Sequence, residues 1–183
     1  MTLFVAVEHG ECEIILCKFI SLWLRTDVVP VSKANGSETI SLRESGEYLC
    51  QGPFKDLKSL NRYYRDYKKG RSTKNLKMDE ITIFVIMDVD GNRLSAKSFR
   101  SRDLFKNSPF YSRIVPIMND PNLDQILKSA GYEIDGRKKP ESYRRALENV
   151  GSIQEFCNSL KGLDTDLPTM IDAIKKHCPH FQP

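Results

Sequence analysis

The stretch Ile81–Asp90, ITIFVIMDVD, constrains this chain more than any other. Ile81, Ile83, Val85 and Met87 alternate with Thr82, Phe84 and Ile86, so both faces of an extended segment are mainly apolar. A run of this kind, rich in β-branched residues and free of Pro and Gly, predicts a strand buried on both sides, as in a parallel sheet covered by helices. It ends on Asp88 and Asp90, with Gly91-Asn92 as turn residues. Side chains two apart on a strand point the same way, roughly 7 Å from each other. Two acids at the carboxyl end of a central strand are suited to hold a divalent cation.

The rest of the chain supplies the partners such a strand needs. Thr2–Val7 reads as a second buried strand and is followed at once by Glu8-His9-Gly10-Glu11. Cys12–Leu24 is apolar almost all round and keeps helical spacing, so it predicts a buried helix. Val28–Val31 is a short strand that tolerates Pro30 only at an edge or a terminus. Ser41 and Glu44 have capping-box spacing and predict a helix ending near Gly52. A basic amphipathic helix over Phe54–Lys69 follows, then a polar loop over Gly70–Asp79. Beyond the central strand come a weak helix at Ala96–Leu104, a strand at Arg113–Ile117 and a helix over Asn122–Ala130 stopped by Gly131. Three helices close the chain: Glu141–Val150, Ile153–Lys161 and Leu167–His177, the last with Asp166 as N-cap. This alternation predicts an α/β fold, a mainly parallel four-stranded sheet flanked by helices over residues 1–131. A helical extension, 132–183, packs on it. Ligands of such sheets sit beyond the carboxyl ends of the strands, where Glu8, Asp88, Asp90 and Asp120 fall.

Composition narrows the class. A length of 183 residues, 40% hydrophobic and 28% charged, suits one compact domain with a small appendage. Between Lys55 and Lys77 nine Lys or Arg stand against two Asp, a net +7; with the whole chain at +4, the remainder carries −3. A basic segment beside acidic strand ends is the balance of a protein that brings a polyanion to metal-binding carboxylates. Five widely spaced cysteines with no CxxC pair read as reduced thiols of a cytoplasmic protein, and not as a disulfide frame or zinc knuckle. Charges interrupt the N-terminus where a signal peptide would be apolar, and Ile14–Leu24, broken by Lys18, is too short to span a bilayer, so no membrane partner is expected.

A Glu directly after the first strand, a Gly opening the next helix, and a D-x-D after the third strand together resemble the Toprim domain. That domain is shared by topoisomerases, bacterial primases, OLD-family nucleases and small nuclease-like proteins of phage defence. The carriers here are Val7-Glu8-His9-Gly10-Glu11 and Asp88-Val89-Asp90, within roughly residues 1–130. The resemblance implies that Glu8, Asp88 and Asp90 bind Mg²⁺ (or Mn²⁺) and serve acid–base chemistry on phosphodiesters. Gly10 stands one residue later than the family pattern places it, with His9 between, so the Glu role lies with Glu8 or Glu11; Glu8 is favoured because it directly follows the strand. A second ion would need Asp120 or Asp124 as an added ligand. The plainer reading of that acidic pair is charge compensation at a helix start.

The implied activity is that of a magnesium-dependent nuclease, a hydrolase acting on DNA or RNA. Arg62, Arg65, Lys68, Lys69, Arg71 and Lys74, interleaved with Tyr63, Tyr64 and Tyr67, would bind the nucleic acid by neutralising phosphates and stacking on bases. The competing reading is an ordinary amphipathic helix with its tyrosines in the core. One alternative function is a non-catalytic nucleic-acid-binding or phage-defence subunit. Another follows from Asp88-Val89-Asp90-Gly91-Asn92, which resembles the first motif of haloacid-dehalogenase-like (HAD-like) phosphatases, with Asp88 as nucleophile; that motif normally lies near the N-terminus and continues with Thr. The C-terminal helices are the candidate surface for a protein partner, and His177-Cys178-Pro179-His180 is a donor set at a chain end with no partner cluster.

Overall fold

The structure is a computed structural model that describes residues 2–7, 10–33, 38–69 and 75–177. It is mixed α/β. Strands β1 (Thr2–Val7), β2 (Val28–Ser32), β3 (Ile81–Asp88) and β4 (Ile114–Asn119) form one sheet in the order β2-β1-β3-β4. Every neighbouring pair is parallel, with Val7 opposite Ser32 and Ile86, and Asp88 opposite Asn119. Pro30 and Pro116 both fall on the two outer strands, where a missing N–H costs no ladder bond on the free side.

Strand alternation divides the core in two. Phe84 and Ile86 of β3, with Val7 and Ile117, face α1 (Glu11–Leu24). Ile81, Ile83, Val85 and Met87 face the other layer, built on α2 (Ser45–Tyr48), α3 (Leu57–Tyr67) and α4 (Arg93–Arg100). Thus α1 carries β1 to β2 on one face, while α3 and α4 carry the chain to β3 and β4 on the other. The connection reverses direction between β1 and β3, which makes their carboxyl ends the switch point where ligands of open α/β sheets bind. The last helices, α6 (Lys139–Glu148), α7 (Ile153–Ser159) and α8 (Leu167–Lys175), pack on α1 and share its core through Tyr143, Leu147, Phe156 and Met170. The ring of Trp23 lies 5.5 Å from that of Phe156. Helix α5 (Leu123–Ser129) completes that layer.

Local signals resolve as chemistry dictates, with three departures. The Ser41–Glu44 box forms, the Glu44 carboxylate accepting from the Ser41 N–H at 3.0 Å, but it opens a turn, and the helix beyond it is only Ser45–Tyr48. Gly46 explains why the chain stays tight here: a Cβ would stand 2.1 Å from the Leu104 carbonyl oxygen. Asp166 takes the N-cap position of α8, as expected, but its side chain makes no capping hydrogen bond. Its carboxylate accepts from the Met118 N–H and its own N–H donates to the Met118 carbonyl, so the residue binds β4 instead, and Thr165 Oγ1 accepts from Leu167 N–H. The weak helix expected at Ala96–Leu104 begins earlier, at Arg93, because Asn92 caps it by accepting from Ser95 N–H.

Phe84 is fully enclosed at the middle of β3. Phe84→Ala should lower unfolding free energy by about 3–5 kcal/mol in urea titration; a loss below about 1 kcal/mol would mean that β3 is not the buried centre of the sheet.

Candidate functional site at the carboxyl edge of the sheet

Asp88 is the last residue of β3 and leans toward the α1 layer. Its Oδ1 accepts from Asn119 Nδ2 at 3.1 Å and from the Leu123 N–H, at the start of α5, at 3.0 Å. Asn119 is itself fully buried, and its Oδ1 accepts from Thr165 Oγ1 at 2.8 Å. The carboxylate plane is therefore set by a chain of contacts reaching from β4 to the segment before α8. Burial pushes the Asp88 carboxyl up to about 6. The two hydrogen bonds oppose that rise, and the charges of Asp90 and Asp124 add to it.

Asp90 sits two residues on, in a tight turn. Asn92 N–H returns to the Val89 carbonyl at 2.9 Å, and both central residues have positive φ, 42° at Asp90 and 81° at Gly91. That is the pattern of a type I′ turn, which Asp and Gly tolerate best. The turn is anchored to the β4–α5 connection: Asp90 N–H donates to the Pro121 carbonyl at 2.9 Å, and Asn122 Nδ2 donates to Asp90 Oδ1 at 3.1 Å. The side chain of Asp90 stays exposed.

Helix α1 begins at the same edge. Gly10 has φ 43° and ψ −91°, a conformation closed to residues with a Cβ, and no side chain caps the helix. Its first turn brings Glu11, exposed, and Glu13, 5% exposed. Glu8 and His9 lie outside the described residues, so the expected approach of Glu8 to Asp88 is carried here only by Val7, which pairs with Ile86 two residues before Asp88.

The other expected site residues are dispersed. Asp124 turns away from the rim into the α6 contact, where Tyr143 Oη donates to it at 2.7 Å and Lys139 forms an ion pair with it. Burial pushes the Asp124 carboxyl up, but the hydrogen bonds from Lys139 and Tyr143 outweigh this and hold it below its usual value. Asp120 follows Asn119 on the opposite face of the sheet, in a cleft under α4. Asp120 and Asp124 therefore do not share one ion-binding position, and Asp120 does not share a face with Asp88. Among the described residues, no three His, Cys, Asp or Glu side chains meet closely enough to hold a metal ion.

The basic helix α3 also takes a different place from the acids. Lys68 Nζ bonds Asp27 at 2.7 Å and Tyr64 Oη bonds the same carboxylate at 3.2 Å. Asp27 directly precedes β2, so the Lys68 end of α3 lies at the amino edge of the parallel sheet, opposite Asp88. Tyr63 Oη donates to the Pro30 carbonyl at 2.8 Å and Tyr64 is buried, so these tyrosines anchor the helix. Arg62 and Arg65 are exposed on α3 and Lys69 is exposed just beyond its end, while Arg71 and Lys74 fall outside the described residues. The cations nearest the acidic turn are on α4: Arg93, Lys97 and Arg100, lining a cleft of about 470 Å³ that Val89 also borders.

Sequence reasoning missed Asn119, Lys139, Tyr143 and the α4 cations. The last had a readable signal, since positions 93, 97 and 100 share one helical stripe. The four described cysteines are unpaired thiols, and burial pushes Cys12 up to about 12, so its thiol is inert at neutral pH. No helix among the described residues is long and apolar enough to cross a membrane. No family model, curated protein or solved structure significantly matches the chain.

The Asp88 carboxyl titrates above its ordinary 3.8, so the folded chain holds that proton more tightly than the unfolded one. Stability therefore falls as pH rises from about 4 through 6, by up to about 3 kcal/mol. In chelator, Asp88→Asn should melt higher than wild type at pH 8, and the difference should vanish near pH 3. A variant that melts lower at pH 8 would show the charge to be stabilised instead. Asn119→Leu, which removes the Asn119 donor from Oδ1 of Asp88, should cost about 1–3 kcal/mol at pH 8.

Proposed function

We propose that the carboxyl edge between β1 and β3 is a divalent-cation site for phosphodiester chemistry on nucleic acid, and that the chain is a Mg²⁺-dependent nuclease with a Toprim-like domain. One observation carries this reading. Asp88 is a desolvated carboxyl raised to about 6, with Asp90 beside it, at the switch point of a parallel sheet. A protein that needed only a well-behaved turn would leave this carboxyl in water. Burial beside other acids makes the unneutralised charge costly, so this carboxylate gains more from a bound dication than one left in water would.

The residues suit a hard cation. Asp88 and Asp90 offer carboxylate oxygens, and Glu8, next in the chain after Val7, would be the third ligand; Glu11, exposed in the first turn of α1, is the alternative. When bound, Mg²⁺ supplies Lewis acidity toward a phosphoryl oxygen and a water of lowered pKa. The protein's part is orientation. Asn119 and the Leu123 N–H hold Oδ1 of Asp88, and the turn anchored at Pro121 holds Asp90, so both acids keep their place as charge accumulates. Asp124 stays paired with Lys139 and supplies negative potential from behind.

Nuclease assays on single- and double-stranded DNA and RNA, in magnesium and in chelator, test this. Asp88→Ala and Asp90→Ala should each lower magnesium-dependent cleavage at least about a hundredfold, while Asp79→Asn, exposed just before β3 at the far edge of the sheet, should cut at the wild-type rate. Full activity in Asp88→Ala would refute the proposal. Nucleic-acid binding with no cleavage and no carboxylate-dependent magnesium binding would replace it with the non-catalytic subunit. Hydrolysis of a small phosphomonoester alone would favour Asp88 as a HAD-like phosphatase nucleophile.

A further inference from the structure

Helix α4 follows the acidic turn with no intervening loop, since its N-cap Asn92 is the last turn residue. Arg93, Lys97 and Arg100 line the cleft on this side, and the helix spans roughly 10 Å between the first and the last at 1.5 Å per residue. Phosphates of one strand recur every few ångströms, so this stripe matches two to three of them. Arg93 and Lys97 are exposed, and of the three only Arg100 forms an ion pair among the described residues, a long one of 3.8 Å to Asp166. Asp120, just after β4, and Asp164, in the segment before α8, line it as well, together with the apolar side chains of Ala96 and Met118.

A cleft lined by cations of one element, carboxylates of others and apolar side chains does not suit a simple anion. It suits a nucleotide unit of a flexible strand: phosphates against α4, sugar or base donors toward the two carboxylates, and a base face over Met118. Asp120 and Asp164 repel phosphates, which turns the phosphate side of the strand toward α4. At about 470 Å³ the recess is in the size range of small-ligand pockets and far too small to seat a duplex. Val89 borders it and is also the middle residue of Asp88-Val89-Asp90, so the cleft adjoins the acidic turn, with Asp88 on the α1 side of the sheet edge.

We propose that the α4 cleft is the binding groove for a single-stranded polynucleotide. Arg93 and Lys97 are its principal phosphate contacts, and it leads the strand over Val89 to the acidic turn. This deepens the nuclease reading and rests on it for what happens at that turn, but strand binding itself needs no cleavage.

The experiment uses the full chain carrying Asp88→Asn, so that binding is read without cutting. The probe is fluorescein-labelled oligothymidylate of about 12 nucleotides, long enough to cover one binding site, followed by anisotropy across a salt series. Adding Arg93→Gln and Lys97→Gln together should weaken binding and make the slope of log affinity against log salt shallower by about 1.4, the value for two lost phosphate contacts on a single strand. Arg62→Gln with Arg65→Gln should leave the slope unchanged. All four positions are exposed, and unchanged melting temperatures check that the fold is kept. An unchanged slope in the α4 pair, a loss carried by the α3 pair, or no binding by the parent protein would each overturn the groove. None of these outcomes touches the carboxylate-dependent cleavage assay, whose failure is a separate result.

Discussion

A strand apolar on both faces has only one stable place, the interior of a covered sheet. For β3 this requirement organises the molecule. The residues of one parity face α1 and those of the other face α3 and α4, so two helical layers must form and the chain must pass from one to the other. The passage reverses the winding between β1 and β3. Since β3 ends on Asp88, the burial that stabilises its apolar residues also draws a carboxyl partly out of water at the point where the sheet opens. The fold and the perturbed acid are two results of the same burial.

The support around Asp88 is spread widely along the chain. Asn119 comes from β4, Leu123 from α5 and Thr165 from the segment before α8, and behind them Asp124 is tied to Lys139 and Tyr143 of α6. Residues beyond 131 therefore do more than cover α1. They fix Asn119 from one side and Asp124 from the other, so the C-terminal helices take part in the electrostatics of the edge. Their ion pair keeps Asp124 charged, and that charge helps to raise Asp88.

Much of the framework was legible because it depends on local pattern. The two-sided run of Ile81–Met87, the helix before Leu24, and Pro30 on an outer strand all follow from periodicity and from the missing proline N–H. What was not legible depends on partners distant in sequence. Nothing near Asp166 announces that its carboxylate will accept from Met118, forty-eight residues away, in place of capping its own helix. The basic segment illustrates a different limit. The density of Lys and Arg from 55 to 77 drew attention to α3, yet Asp27 takes Lys68 at the amino edge. The three cations of α4 are fewer, and their helix starts directly after the acidic turn. Charge counts do not carry direction, whereas helical spacing combined with strand polarity does.

The central claim is that Asp88 exchanges a proton for a dication. Magnesium binding by calorimetry at pH 6, repeated in buffers of different ionisation enthalpy, measures this directly. With the Asp88 carboxyl near 6, binding should release about half a proton per ion at pH 6 and almost none at pH 8, and Asp88→Asn should abolish the binding heat. Binding that releases no proton at pH 6, or that persists in Asp88→Asn, would contradict it.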